Sequence, residues 1–384
     1  MNSKLIHGGL LAILTLAAAS CEKDPYGLPE DWTYQREVSS TTGIDQFSDP
    51  ENIYTRNVKL VNAGIQGFTL IDENTVYYCQ TSAQTIYFTK AEPSPGMNIQ
   101  TLGGQMFFYG FSHGTNSAVE HTASGDYVWV GAYGKCDPTQ SNTYWTNPVV
   151  GRVKFQAEKK IYSNECEEYY WLGKNITEIH PSIDAENGLV TFVHQDPEYA
   201  SYRCFNVYKL SEARQAPVTT VTFRTTDAFK SHNLTSTEEV SVTLSVRDLT
   251  QVTPVAVIRF PKSNFGQGTN PTFYSWQGFD VHKDKLYYMD GEAKGTDIDQ
   301  SYAYLTIFNF KSRVVERRTL VSVVQDATAL LNAGISTTAS LESEGCKVFN
   351  GKLYLGFSGK GCNVTGADAN HWYTTIFRYN PSQK

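Results

Sequence analysis

The sequence predicts an all-β chain folded as a five-bladed β-propeller. Three observations carry that expectation. Short strand-like runs bounded by Gly, Asn, Asp or Pro recur along the chain, helical periodicity is almost absent, and one hairpin pattern returns five times. A six-bladed propeller and a pair of β-sandwiches are the runner-up architectures.

The first element is an address. Lys4 and His7 precede the apolar run Leu10–Ala19, which is shorter than the roughly twenty residues that span a bilayer and has the length and flanks of a secretory signal. It ends in Ala18-Ala19-Ser20-Cys21, small residues before a cysteine that resemble a lipobox. Residues 1–20 therefore read as a lipoprotein signal peptide, with cleavage before Cys21 and acylation of that residue. Ala18 departs from the usual Leu, and an ordinary signal peptide is the alternative. Residues 21–55 read as a lipid-anchored polar linker and 56–384 as the propeller. The Glu22-Lys23-Asp24 segment resembles surface-export signals, so the expected location is the outer membrane, facing the cell surface. Acyl chains contribute about 0.8 kcal/mol per buried CH₂. The expected partners are that membrane, through Cys21, and a ligand of the propeller.

The repeats come next. Gln66-Gly67-Phe68, a turn at Asp72-Glu73-Asn74 and Val76-Tyr77-Tyr78 form the first hairpin. Gln277-Gly278-Phe279, a turn at His282-Lys283-Asp284 and Leu286-Tyr287-Tyr288 form a second. Glu344-Gly345-Cys346, a turn at Asn350-Gly351 and Leu353-Tyr354-Leu355 form a third. Two looser copies begin at Glu120 and His180. Further runs, such as Gly151–Phe155, Ser201–Tyr208 and Thr306–Phe310, would complete four-stranded sheets. The long gap between 180 and 277 leaves room for a degenerate sixth unit. A helix is expected only at Asp326–Gly334, with Asp as N-cap and Gly as stop.

Composition narrows the function. With Lys+Arg 32 against Asp+Glu 39 and 13% aromatic residues, the chain has neither the charge excess of a disordered segment nor the cationic balance of a nucleic-acid binder. After Cys21 there remain Cys79, Cys136, Cys166, Cys204, Cys346 and Cys362. Export permits disulfides, with Cys346–Cys362 and Cys136–Cys166 as the short-loop choices and buried free thiols as the other reading. No CxxC pair, Asp-rich loop, HExxH or P-loop is present, so no metal or cofactor is expected.

If the first strand of each hairpin is innermost, Gln66, Glu120, His180, Gln277 and Glu344 ring one mouth of the channel. Polar side chains there either bond one another or meet a ligand, because burying them unpaired costs several kcal/mol. His113 lies close by in sequence, and Trp145, Trp276 and Trp372 offer amphipathic rings suited to sugars, although such rings also wedge between blades. Glu120 and Glu344 are the carboxylates an enzyme would use, since glycosidases need two of them.

Met106–Gly114, Val119-Glu120, Tyr127–Val130, Gly131–Gly134, Gly151–Phe155, Gln277-Gly278-Phe279 and Glu342–Gly345 together resemble one β-propeller family. Phage receptor-binding proteins, secreted TagC-type teichoic-acid biosynthesis proteins and helveticin-type bacteriocins share it. The resemblance covers roughly residues 60–380 and implies a five-bladed propeller that binds surface glycopolymers, with no implied reaction; a lipoprotein signal is foreign to the phage and bacteriocin members. The combined expectation is an exported, lipid-anchored module that binds a cell-surface or dietary glycan. The alternatives are a propeller glycosidase or lyase and a protein-interaction scaffold.

Overall fold

The computed structural model describes residues 47–57, 63–82, 84–93, 104–137, 139, 143–262, 275–293, 301–333, 335, 341–360 and 372–381. Period-2 runs pair antiparallel into five sheets whose first strands face one another. Blade 1 runs outward through Ile65–Asp72, Thr75–Ser82, Thr85–Ala91 and Gly104–Tyr109. Blade 2 uses Ala118–Thr122, Gly125–Ala132, Val149–Lys154 and Glu168–Trp171. Blade 3 uses Thr177–Asp184, Leu189–Gln195, Tyr202–Lys209 and Ala256–Pro261. Blade 4 uses Ser275–His282, Lys285–Ala293, Ser301–Asn309 and Val314–Leu320. Blade 5 uses Leu341–Phe349, Lys352–Lys360 and Trp372–Pro381, and its fourth strand is Phe47–Asn57 from the other end of the chain. That strand begins inside the stretch read as linker, so the sheet starts before residue 56. Pairing the two ends of the described chain closes the ring and removes a sheet edge.

Inner strands touch in the order blade 1, 2, 3, 4, 5 and back to 1. Five apolar clusters fill the five seams. Val128 and Phe88 share one, Trp129 and Phe192 the next, Phe205 and Phe279 the third, Met289 and Leu355 the fourth, and Phe68 and Ile376 the last. This is a five-bladed β-propeller, and neither runner-up architecture applies.

The 180-to-277 gap holds no sixth blade. It carries the short helix Leu210–Arg214 and a ribbon, Val218–Thr226 with Glu239–Asp248, that joins blade 2 in parallel through Tyr170 and Trp171. The expected late helix forms over Ala327–Asn332, where the Asp326 carboxylate accepts from Thr328 N and Ala329 N at 2.9 and 3.0 Å.

The Gln-Gly and Glu-Gly repeats have a backbone cause. Gly67, Gly278 and Gly345 sit at register shifts of their inner strands, with φ of 153°, 148° and 130°. A Cβ on Gly278 would lie 2.8 Å from Gly345 Cα, and one on Gly67 would lie 2.9 Å from Asn116 N. The inner strands thus meet backbone to backbone in a girdle across the channel, which Asn116 laces by accepting from Phe279 N (2.9 Å) and donating to Pro181 O (3.0 Å).

Cys79, Cys166 and Cys346 are free thiols. The Cys136–Cys166 and Cys346–Cys362 bridges are therefore not formed; Cys362, like Cys21, lies outside the described residues. Burial pushes the Cys79 thiol up to about 12 and raises those of Cys166 and Cys346 as well, which leaves them unreactive.

Candidate functional site

Gln66, Gln277 and Glu344 each stand immediately before a girdle glycine, so the three occupy one level at the end where the inner strands begin. The register corrects the other two members of the predicted ring. His180 pairs with Val193 and takes the place of the glycine itself in blade 3. Glu120 pairs with Tyr127 and aligns with Thr69, Ser182, Asp280 and Lys347, two residues past the girdle. Its side chain lies in the seam between blades 2 and 3. It accepts from Arg152 Nε at 2.8 Å, Arg214 Nη1 at 2.6 Å and Trp129 Nε1 at 3.2 Å. Glu168 extends the cluster to Arg247 at 3.1 Å. A carboxylate held by two guanidiniums and an indole ties blades together and is not presented to a ligand. The Glu120–Glu344 catalytic pair is thereby broken up.

Other sequence-predicted residues do gather at the mouth. His113 stacks on Trp145 with ring centroids 4.4 Å apart, and His180 leans on Trp276 at 5.5 Å. Burial depresses His113 to about 4. Burial, then the charges of Arg203 and His113, depress His180 to about 3. Both imidazoles are neutral at physiological pH. Gln277 Nε2 donates to Glu342 Oε1 at 3.3 Å. Burial raises the Glu342 carboxyl. It raises that of Glu344 far more, with the Glu342 charge adding to the effect. Ser358 bonds Glu344 and packs against Gly64, and Trp372 lies beside them in the seam of blades 1 and 5. Arg203 and Ser358 carry no repeat signal in the sequence, whereas Glu342 opens the Glu342–Gly345 motif and is a further carboxylate available to an enzyme.

The mouth holds several unpaired polar atoms, as do other parts of the described chain, for example at Asn147, His194 and Asp227. His113 Nδ1, His180 Nδ1, Trp276 Nε1, Arg203 Nε and Ser343 Oγ are buried without a hydrogen-bond partner. One layer deeper the polar groups are paired. Lys347 Nζ donates to Asp280 Oδ1 at 2.9 Å and to Ile183 O at 2.5 Å, Val348 N donates to Asp280 Oδ2 at 2.8 Å, and Ser182 also donates to Asp280. The cavity at the opposite end of the channel is lined by Leu70, Ile183, Asp184, Glu186, Lys347 and Phe349. There Asp184 is engaged by Asn187, Lys283 N and His282. Among the described residues no group of three or more His, Cys, Asp or Glu is placed to hold a metal ion.

No protein-family model matches the chain, and no curated protein does. Among solved structures, the chain is similar to the tail fiber of Staphylococcus aureus phage P68, with TM-score 0.50, 13% identity, and coverage of 89% of this chain and 54% of that one. The chain thus spans about half the length of the tail fiber, and the likeness shows the fold alone. The WD40 domain of Toxoplasma gondii coronin (TM-score 0.32, 7% identity, 88% of this chain and 89% of that one) and an α-L-arabinanase of Cellvibrio cellulosa in complex with arabinohexaose (0.34, 10%, 87% and 96%) are more distant and carry no argument.

Proposed function

We propose that the chain is an exported, lipid-anchored β-propeller whose mouth binds a cell-surface or dietary glycan. The observation that supports this best is the set of buried, unpaired donors and acceptors beside two imidazole–indole pairs. Leaving such groups unmet costs about 1–3 kcal/mol each. Sugar hydroxyls donate and accept at once, and sugar rings suit aromatic neighbours. In this reading Gln66, His113, His180, Gln277 and Glu344 supply hydrogen bonds, and Trp145, Trp276 and Trp372 supply apolar surface. The relationship to receptor-binding, TagC-type and helveticin-type propellers belongs to the same proposal. So does the anchor at Cys21 with its outer-membrane, cell-surface location: Cys21→Ser would abolish incorporation of labelled palmitate and release the chain to the soluble fraction.

A glycan array on the full chain, with reducing-sugar release followed on every hit, tests the reading. Binding without release is expected. Release would instead favour a glycosidase. Glu342 and Glu344 support that second reading: they are alternate residues of one strand, their carboxyls are both raised, and such a pair suits acid–base chemistry. Capture of a protein partner with no glycan affinity would point to a scaffold.

A further inference from the structure

We propose that blade 3 contributes an anion-binding arm to this mouth, formed by Arg203 and Lys262, so that the glycan it takes carries an acidic group, a sugar carboxylate or a phosphate. The inference rests on the glycan reading above and narrows its ligand class.

Arg203 is the second residue of the third strand of blade 3, and Lys262 directly follows the fourth. Lys262 N donates to Ser201 O at 3.0 Å, which holds the two strand ends together. The guanidinium of Arg203 lies over Trp276, with Cζ 4.2 Å from the ring centroid, and its side chain bonds Tyr288. Lys262 is exposed, and its ammonium donates to Gln195 Oε1.

Several other arginines meet carboxylates. Arg152 and Arg214 share Glu120, Arg247 meets Glu168, and Arg318 meets Asp290. Arg203 has no such partner among the described residues, and neither does Lys262, on which Glu178 acts only from beyond ion-pair distance. Instead the two cations oppose one another. Burial and then the Arg203 charge lower the Lys262 ammonium, and Arg203 also works against protonation of His180. Arg203 Nε, His180 Nδ1 and Trp276 Nε1 are unpaired in the same corner.

An anion entering from solvent meets the exposed ammonium first. It then reaches a planar guanidinium fork whose geometry matches a carboxylate or phosphate. Trp276 sets the ring that carries the anion against the His180 side of the mouth. A neutral sugar leaves the two cations facing each other uncompensated.

The test is isothermal titration of the full chain with three probes: an oligogalacturonide, a phosphomannan oligosaccharide and a neutral galacto-oligosaccharide, each at 50 and 200 mM salt. The expected result is at least tenfold tighter binding of one acidic probe than of the neutral one, weakening with salt. Lys262→Gln should lose about tenfold affinity at an unchanged urea midpoint, because the side chain is exposed. Which acidic probe binds distinguishes carboxylate from phosphate. Neutral binding equal to acidic binding, and unmoved by Lys262→Gln, would overturn the anionic arm while leaving the glycan reading intact. Failure of every probe to bind, with array hits absent as well, would overturn both.

Discussion

The mouth and the layer just beneath it are built from similar residue types and differ in how their charges are met. Below the girdle, Asp280 is buried yet meets Lys347, Ser182 and Val348 N, and in the neighbouring seam Glu120 meets Arg152 and Arg214. Above it, Glu344 is equally buried, meets only a hydroxyl, and faces a second carboxyl. Burial raises both Asp280 and Glu344, and Lys347 pulls Asp280 back. Paired polar groups serve the fold. Groups kept buried and unpaired cost stability, and a protein retains them where they do something else.

Asp280→Ala would leave the Lys347 ammonium buried without its partner and should cost about 3–5 kcal/mol in urea unfolding; a loss under 1 kcal/mol would mean that the lower layer is not a structural lock. Glu120→Gln removes a carboxylate from two guanidiniums and should cost about 2–3 kcal/mol while leaving every array hit in place. Loss of glycan binding at unchanged stability would return Glu120 to the site. Gly278→Ala, between the two layers, must fit a methyl against Gly345 Cα at a φ that side chains avoid, and should cost about 1–3 kcal/mol. A neutral result there would deny the girdle. The effect most spread over conditions is a slope with pH. His180 and His113 are depressed from 6.5 to about 3 and about 4, so the unfolded chain binds more protons than the fold below pH 6.5. The stability each neutral imidazole provides is therefore lost as the pH falls from 6.5 toward 4, at about 1.4 kcal/mol per pH unit per histidine. His180→Gln should flatten the profile of urea midpoint against pH by one such increment; an unchanged profile would show that His180 is not held neutral.

The blades were legible because their signals are local. A hairpin needs a turn residue and two alternating strands, and Gly67, Gly278 and Gly345 recur where their inner strands take a positive φ that side chains avoid. The same logic brought Gln66, Gln277 and Glu344 to one level. It failed for Glu120, because blade 2 has alanine, Ala118, in the glycine position and the visible polar residue lies two places on. It also missed the strand Phe47–Asn57, whose partner stands at the far end of the chain. Arg214 and Arg203 were invisible for a related reason: Glu120 lies 94 residues before Arg214, and the pairing that brings Arg203 onto Trp276 crosses from one blade to the next. Local pattern reports blades, and long-range pairing decides which polar residue is locked and which is left open.

The central claim is that the mouth's polar groups are not part of the lock, and two conservative variants test it side by side. Urea midpoints should be compared at neutral pH for Asp280→Asn and Glu344→Gln. Burial pushes the Glu344 carboxyl toward its neutral form, which glutamine resembles, so its midpoint should stay level or rise, whereas the midpoint of Asp280→Asn should fall, by the equivalent of about 3 kcal/mol in unfolding free energy. Equal losses in the two would contradict the account and make the mouth a structural network like the layer below it.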